Sequence, residues 1–269
     1  MLGLAIFTTG LIAIAILVTY PKLPPLDSLQ HYQPKMPLTI YSADGQIIGV
    51  YGEQRREFTK INDFPDILKN AVIAAEDKRF YEHWGVDVWG IARAAISNIV
   101  AGGVQSGAST ITQQVAKNFY LSSERTFTRK FNEALLAYKI EQSLSKDKIL
   151  ELYFNQIYLG QRAYGFTSAA QIYFNKNVKD LTLAEAAMLA GLPKAPSAYN
   201  PIVNPERAKL RQTYILNNML EEGMITSQQR DDALKEELHY ERFVQKIDQN
   251  ALYVAEMVRQ ELYEKYGEE

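Results

Sequence analysis

The sequence contains no cysteine, which excludes disulfides, thiolate catalysis and cysteine-based metal sites. Histidine is also scarce, since only His31, His83 and His239 are present, and their spacing matches no zinc motif. The chain of 269 residues lacks a marked excess of either charge, because 29 Lys and Arg stand against 31 Asp and Glu. Proteins whose main partner is a nucleic acid normally carry a basic excess, so this balance argues against such a partner.

The beginning of the chain lacks charged side chains altogether. Leu2 to Tyr20 is dominated by Leu, Ile, Ala and Val. As a helix this run would span about 28 Å, close to the thickness of the hydrocarbon core of a bilayer. A cleaved signal peptide is the alternative, but no basic segment precedes the run and no small-residue cleavage site precedes Pro21. The sequence therefore predicts one uncleaved transmembrane anchor over residues 1–20.

The rest of the chain divides by composition and periodicity. Residues 21–37 are rich in proline and predict an extended linker. Leu38–Tyr41 and Gln46–Tyr51 are β-prone runs that flank Asp44-Gly45, which predicts a β-hairpin. Apolar residues then recur with helical spacing, so residues 38–245 predict a mainly α domain that begins with the hairpin. Residues 246–269 are rich in charge and show no sequence signal that ends a domain, which predicts the start of a linker to a further domain.

Glu76 follows an apolar run that ends in Ala75. A carboxylate beside apolar surface loses solvation, which favours its neutral form and suits it for general acid–base chemistry. The alternative is a solvated helix end, at which Glu76 and Asp77 face Lys78 and Arg79. Taken alone, this stretch favours the alternative.

The second group of candidate residues lies on a predicted helix over residues 110–120. Thr110, Gln113, Gln114 and Lys117 fall on one face of that helix. A hydroxyl, two amides and an ammonium on one face can bind a polyhydroxyl ligand that carries negative charge. The alternative is the wet side of an ordinary amphipathic helix.

The third group lies on a predicted helix over residues 128–144, where Lys130 and Glu133 share a face. The small side chain of Ala137 on the same face would leave room for a ligand beside Glu133. A surface ion pair between Lys130 and Glu133 is the common alternative.

Together these groups resemble the glycosyltransferase domain of class A penicillin-binding proteins and of monofunctional peptidoglycan glycosyltransferases (glycosyltransferase family 51). The matching motifs, in chain order, are Glu76-Asp77-x-x-Phe80-x-x-His83-x-Gly85, Gly107-Ala108-Ser109-Thr110-Ile111-Thr112-Gln113-Gln114-x-x-Lys117-Asn118, Arg129-Lys130-x-x-Glu133, Ile149–Asn155 and Leu183–Pro193. One departure is Asn175, which stands where the family usually has glycine. Because asparagine tolerates a left-handed backbone, we expect this turn to be kept.

The resemblance implies a lysozyme-like fold and a peptidoglycan glycosyltransferase that polymerises lipid II by inverting transfer with release of undecaprenyl diphosphate. By resemblance Glu76 is the general base for the acceptor 4-hydroxyl, and Glu133 is the second catalytic carboxylate. The substrate-binding residues that it implies are Asp77, Phe80, His83, Ser109, Thr110, Gln113, Gln114, Lys117, Asn118, Arg129 and Lys130. It requires no cofactor, and it allows a divalent cation, Mg²⁺ or Mn²⁺, at Glu133.

The resemblance also implies partners and a location. The partners are lipid II, the growing lipid-linked glycan, the bilayer and, by extension, cell-wall elongation proteins. The location is the bacterial cytoplasmic membrane, crossed once, with the catalytic domain on the outer, periplasmic side. Phosphoglycolipid inhibitors such as moenomycin would occupy the donor site through their phosphate. The apolar stretch Val86–Val100, with Trp84, would either dip into the membrane interface or belong to the core.

Two other functions are compatible with parts of this pattern. A lytic transglycosylase shares the lysozyme-like fold but cleaves glycan, and the paired glutamate motifs and the Gln113-Gln114-x-x-Lys117 helix argue against it. A scaffold without catalysis would not need all of the acidic and basic motif residues. The sequence therefore favours a glycosyltransferase.

Overall fold

The computed structural model describes residues 2–30, 32, 34, 37–52, 55–100, 109–121, 126–240 and 251–267. Within these ranges the chain is mainly α, as predicted, with two small two-stranded sheets. The α-helices are α1 (Leu2–Thr19), α2 (Asp27–Gln30), α3 (Asp66–Glu76), α4 (Val88–Val100), α5 (Ile111–Tyr120), α6 (Phe127–Ser143), α7 (Lys146–Gln156), α8 (Phe166–Phe174), α9 (Leu183–Ala190), α10 (Pro205–Glu221), α11 (Ser227–Lys235) and α12 (Leu252–Tyr266). The strands are β1 (Leu38–Tyr41), β2 (Ile47–Tyr51), β3 (Arg55–Arg56) and β4 (Ala163–Tyr164).

The anchor predicted over residues 1–20 coincides with α1, in which no side chain is charged. Within the part of the chain that the structure describes, no helix combines the length and the apolarity of a membrane span. Membrane attachment therefore stays a prediction.

The segment after α1 differs from the extended linker predicted for residues 21–37. It forms a 3₁₀ turn over Tyr20–Lys22 and then α2. Leu26 and Leu29 are buried in the main core, and Lys139 Nζ of α6 donates a hydrogen bond to Pro24 O at 2.9 Å. Two leucines three residues apart share one face of a helical turn, and their burial draws this segment onto the domain. Residues 31, 33, 35 and 36 lie outside the described ranges.

The predicted hairpin is confirmed by the antiparallel pairing of β1 and β2. Leu38 lies opposite Tyr51, and Gly45 in the turn has a φ of +83°. Helix α12 packs on β2, where Ala255 joins Ile40 and Ile48 in a small separate core. Residues 241–250 lie outside the described ranges, so the domain boundary predicted at residue 245 stays a prediction.

The main core is built from the helices between α3 and α10. Helix α3 packs against α9 and α10, while α5 packs against α6 and α7. The largest fully buried aromatic side chains in it are Tyr153, Tyr173, Phe80, Phe154 and Phe166. This packing brings the last residue of α3, which is Glu76, to the same cavity as Glu133 of α6.

The turn after α8 is kept although asparagine replaces the family's glycine. Asn175 ends the helix in a left-handed conformation, with φ +53° and ψ +38°. Its Oδ1 accepts a hydrogen bond of 2.8 Å from Gln171 Nε2. Asparagine is among the few residues other than glycine that adopt this conformation readily, so the expectation for this turn is confirmed.

Helix α4 carries an apolar surface rather than a core face. Trp84, Val88, Trp89, Ile96 and Ile99 are all exposed, Ile99 by 80%. Ala94 is the buried apolar residue of this helix among those whose side chains are described. The alternative in which Val86–Val100 belongs to the core is therefore wrong for most of the helix. We name the exposed apolar residues Trp84, Val88, Trp89, Ile96 and Ile99 the α4 surface.

Candidate active site

A cavity of about 780 Å³ opens between the end of α3, the α5–α6 pair and α10. Its polar lining comes from both the predicted motifs and α10. The predicted site residues that line it are Glu76, Glu133, Ser109, Gln114, Lys117, Arg129 and Lys130. The structure thus brings together seven of the thirteen residues predicted for the site, including both carboxylates.

Glu76 stands at the end of α3, where apolar residues surround the helix. Its side chain is 11% exposed. Gln114 Nε2 donates to Glu76 Oε2 at 2.9 Å, and a guanidinium nitrogen of Arg211 lies 3.5 Å from Oε1. Burial raises the pKa of the Glu76 carboxyl, while the Gln114 hydrogen bond and the charges of Arg211 and Lys194 act in the opposite direction. Desolvation is the largest of these effects, so the solvated helix end that the stretch alone favours is not what the structure has.

Glu133 is more deeply buried than Glu76, at 3% exposure, but it is closely paired. Arg129 donates to its Oε2 at 2.9 Å, and Lys130 Nζ contacts its Oε1. Lys130 Nζ also donates to Ser109 Oγ at 2.8 Å, which connects α6 to the residue before the α5 cap. Both carboxylate oxygens of Glu133 thus face cations, and this donor set does not fit a divalent cation. No group of three or more His, Asp or Glu side chains in the described ranges has the arrangement of a metal site.

Lys117 differs from Lys130 in having no fixed partner within the described ranges. It is exposed at the cavity on α5. Among the described residues, no hydrogen bond or ion pair engages its ammonium group. An unpaired cation beside the paired Arg129 and Lys130 leaves the cavity with positive charge available to an anionic ligand.

Two predicted binding residues serve as the cap of α5. Thr110 Oγ1 accepts from Gln113 N at 3.1 Å, and Gln113 Oε1 accepts from Thr110 N at 3.0 Å. This is a capping box, in which each residue satisfies an otherwise unpaired backbone donor of the other. Thr110 Oγ1 also donates to Gly85 O at 2.6 Å. Both side chains are buried, and neither lines the main cavity. Gly107 and Ala108 of this motif lie outside the described ranges.

Asp77 and His83 form a buried pair that ties α3 to α5. Asp77 Oδ2 accepts from Ile111 N at 2.9 Å and lies 2.9 Å from His83 Nε2. Because His83 Nδ1 accepts from Gly85 N at 3.2 Å, the ring proton belongs on Nε2, which then donates to Asp77. The pair therefore holds the backbone at Gly85 and at the start of α5, and neither residue lines the main cavity.

The two remaining predicted binding residues lie away from the cavity. Phe80 is fully buried in the core, where Lys146 Nζ lies 4.5 Å from its ring centroid. Asn118 is exposed on α5 and does not line the cavity. Their assignment to substrate binding stays a prediction.

The wall formed by α10 was not foreseen from the sequence. Arg207, Leu210, Arg211 and Tyr214 line the cavity from this helix, together with Lys194 from the turn after α9. The helical spacing of 207, 210, 211 and 214 was a signal for one face. The spacing did not indicate which other helices or side chains this face of α10 would contact.

A second, smaller cavity of about 310 Å³ adjoins the first on the α4 side. Glu76, Ser109 and Tyr214 line both cavities, while Asp77, Asp87 and Arg93 line only the second. Glu76 therefore lies at the boundary that the two cavities share.

The cavity thus lies in a mainly helical domain and is lined by two buried carboxylates and several cations. The chain belongs to the transglycosylase family, which matches residues 44–220. It is 88% identical over 268 residues to penicillin-binding protein 1A of Neisseria cinerea, an alignment that covers 100% of this chain and 34% of that protein. It is 49% identical over 255 residues to penicillin-binding protein 1A of Pseudomonas aeruginosa, covering 95% of this chain and 31% of that protein.

A solved structure agrees with these relatives. The crystal structure of penicillin-binding protein 1A from Haemophilus influenzae matches with a TM-score of 0.51 and 32% identity, covering 88% of this chain and 25% of that chain. These matches confirm the predicted resemblance to class A penicillin-binding proteins. The chain spans about a third of the length of the curated relatives it matches.

Proposed function

We propose that this chain is a peptidoglycan glycosyltransferase that polymerises lipid II into glycan strands for the bacterial cell wall. Membership of the transglycosylase family and the likeness to penicillin-binding protein 1A support the proposal. The observation that carries it is the pair of unlike carboxylates in one cavity. Glu76 is desolvated and contacted by one amide and one more distant guanidinium, whereas Glu133 is fixed between Arg129 and Lys130.

Glu76 is the general base in this proposal. In its ionised form it takes the proton from the 4-hydroxyl of lipid II, and the freed oxygen attacks the anomeric carbon of the donor. The new glycosidic bond forms as the bond to the diphosphate breaks, with inversion at that carbon. Burial raises the proton affinity of Glu76, which makes it a stronger base than an exposed carboxylate. Its position between the two cavities suits a group that must contact both acceptor and donor.

The cations of the cavity stabilise the departing undecaprenyl diphosphate. Lys117, Arg129 and Lys130 line the same cavity as Glu76, and Glu133 orients the last two. Negative charge develops on the diphosphate as the glycosidic bond to it breaks, so fixed cations bind the transition state more strongly than the ground state. Ser109 and Gln114 position the sugar and phosphate groups, and the same cavity takes the phosphate of moenomycin-like inhibitors.

The proposal includes the membrane because the donor and the acceptor are both linked to lipids. We propose that α1 anchors the chain in the cytoplasmic membrane and that the lysozyme-like catalytic domain lies on the outer side. The absence of charge from α1 supports the anchor. The exposed α4 surface supports a second contact with the lipid interface, close to the smaller cavity.

The test is incubation of the purified protein with labelled lipid II in detergent, with the products sized on a gel. Long polymer from the wild-type protein, and none from Glu76→Gln, is the expected result. A lytic transglycosylase would instead release anhydro fragments from purified sacculi and leave lipid II unchanged. A scaffold would give neither product.

A further inference from the structure

Arg211 of α10 is a buried cation that no motif considered above explains. Its side chain is 8% exposed, and its guanidinium lies 4.9 Å from the ring centroid of Tyr214 and 5.9 Å from that of Tyr199. Within the described ranges its one carboxylate partner is Glu76, at 3.5 Å. Arginine heads stack well on aromatic rings, so the two tyrosines fix the orientation of this charge.

Helix α10 also holds the backbone on which Glu76 stands. Arg211 donates to Ala75 O at 3.4 Å, and Asn218 Nδ2 donates to Ala74 O at 3.1 Å. These carbonyls belong to the last turn of α3, where backbone acceptors have no partner within the helix. We name these two donors of α10, the charged Arg211 and the neutral Asn218, the clamp on the last turn of α3.

Several effects around Glu76 disfavour its ionised form. Glu76 is the last residue of α3, and the negative end of the helix dipole disfavours a carboxylate there. Asp77 beside it and burial itself act in the same direction. Tyr153 of α7 also faces it but is buried and neutral. Lys194 is the other cation that opposes these effects, and it is exposed to solvent.

We propose that Arg211 is a positioning residue that keeps Glu76 ionised and aimed into the cavity, so that Glu76 can act as a base at neutral pH. This inference rests on the proposed function of Glu76. A general base needs high proton affinity and must still be deprotonated at the working pH. Burial supplies the first property, and the charge of Arg211 secures the second. Arg211 acts through Glu76 and does not contact the reacting atoms.

The test compares the pH dependence of kcat for polymerisation of lipid II in the wild-type protein, Arg211→Gln, Arg211→Lys and Asn218→Ala. Asn218→Ala is the matched control, because it removes the neutral donor of the same clamp and no charge. Arg211→Met keeps the packing against both tyrosines and supplies the uncharged variant if Arg211→Gln does not fold. The thermal unfolding of each variant is measured alongside.

We expect the acidic limb of the Arg211→Gln profile to move to higher pH by about one unit, which is the effect of removing an opposite charge near a carboxylate. Activity should fall about tenfold at a pH below the limb and recover above it, with KM little changed. Arg211→Lys should keep the limb close to that of the wild type. Asn218→Ala should keep the limb where it is, whatever its effect on stability.

Three results would overturn the inference. The first is an equal loss of kcat at every pH, which indicates a structural role alone. The second is a rise in KM with an unmoved limb, which indicates that Arg211 binds the substrate directly. The third is a wild-type profile without an acidic limb. Failure of the proposed function looks different, because the wild-type protein would then form no polymer from lipid II. Failure of the base assignment would leave Glu76→Gln active whatever the Arg211 variants do.

Discussion

The two carboxylates of the cavity are both buried, Glu133 more deeply than Glu76, but they are held in different ways. Glu133 meets Arg129 and Lys130 directly, one cation at each oxygen. Glu76 receives an amide hydrogen bond from Gln114 and has its nearest cation, Arg211, at 3.5 Å. The pKa of the Glu76 carboxyl is raised because desolvation outweighs these partners.

This contrast separates a group that exchanges a proton from a group that organises cations. Each oxygen of Glu133 is engaged by a cation, so this carboxylate is suited to orienting Arg129 and Lys130. A loosely held, desolvated carboxylate gains stability when it accepts a proton, so Glu76 is suited to that role. Substituting Glu76 or Glu133 removes one of the two carboxylates, and substituting Lys117 or Lys130 removes a cation of the cavity.

The largest effect is expected from Glu76→Gln. Glutamine keeps the size and the polarity of the side chain but cannot accept the proton, so polymerisation should fall by several orders of magnitude while binding of lipid II persists. Product formation on gels and binding to labelled lipid II measure the two quantities. Glu264→Gln, an exposed substitution of the same type on α12, should remain fully active. Near-normal turnover by a folded Glu76→Gln protein would contradict the assignment of the base.

Glu133→Gln should lose less activity but more stability. The two cations would keep their charge and lose the partner that orients them, so turnover should fall by about 100-fold, as for a misplaced catalytic cation. Removing one partner of a buried ion pair costs several kcal/mol, but Lys130 is 45% exposed, so we expect a loss of about 2 kcal/mol. Unfolding in urea measures the stability change. An unchanged free energy of unfolding would show that the pairing is not stabilising.

The third-largest effect is expected from removing Lys117 or Lys130. Lys117→Ala and Lys130→Ala should both lose activity strongly and bind moenomycin more weakly, because each removes a cation from the cavity. Lys→Arg at either position should recover only part of the loss, since the planar guanidinium differs in shape from an ammonium. Activity and inhibitor affinity are measured on the same four variants.

Thermal stability should distinguish the two alanine variants. Lys117 lacks a fixed partner among the described residues, so Lys117→Ala should keep the wild-type Tm. Lys130 contacts the buried Glu133 and Ser109, so Lys130→Ala should lower the Tm by about 2–4 °C. Equal melting temperatures for the two variants would contradict the pairing described for Glu133. Normal inhibitor binding by both would show that neither lysine belongs to the donor site.

The sequence predicted this cavity unevenly. The local sequence of Glu76 offered desolvation by its apolar flank as one of two alternatives and favoured the other, whereas Lys130 and Glu133 could be paired by helical spacing. Arg211 could not be placed, because its contact with Glu76 depends on how α10 packs across 135 residues of sequence. Spacing alone also could not show that Leu26 and Leu29 return to the core.

Some predicted binding residues turned out to hold the backbone. The Thr110-x-x-Gln113 spacing is itself the signature of a capping box. It predicts a role at the start of the helix, which the family resemblance does not. Asp77 and His83 likewise satisfy buried backbone groups beside the cavity. Their assignment to substrate binding stays a prediction, and Asp77 and Thr110 line the smaller cavity.

The smallest effect concerns the stability of Glu76→Gln as a function of pH. A carboxyl whose pKa is higher in the folded than in the unfolded protein costs stability once the pH rises above the unfolded value, because the folded state then binds more protons. That cost grows until the pH reaches the folded pKa and is constant above it. Glutamine carries no such cost, so Glu76→Gln should raise the Tm at pH 8 by about 2–4 °C. At a pH near 4 the Glu76 carboxyl is largely protonated in both the folded and the unfolded wild-type protein, and the difference in Tm between wild type and Glu76→Gln should shrink toward zero.

Glu133→Gln should lower the Tm at pH 8, so the two Glu→Gln variants are expected to shift stability in opposite directions. Melting curves of the wild type and both variants at the two pH values measure this. If Glu76→Gln were less stable than the wild type at pH 8, the interactions of Glu76 with Gln114 and Arg211 would outweigh its desolvation, and the contrast between the two carboxylates would fail.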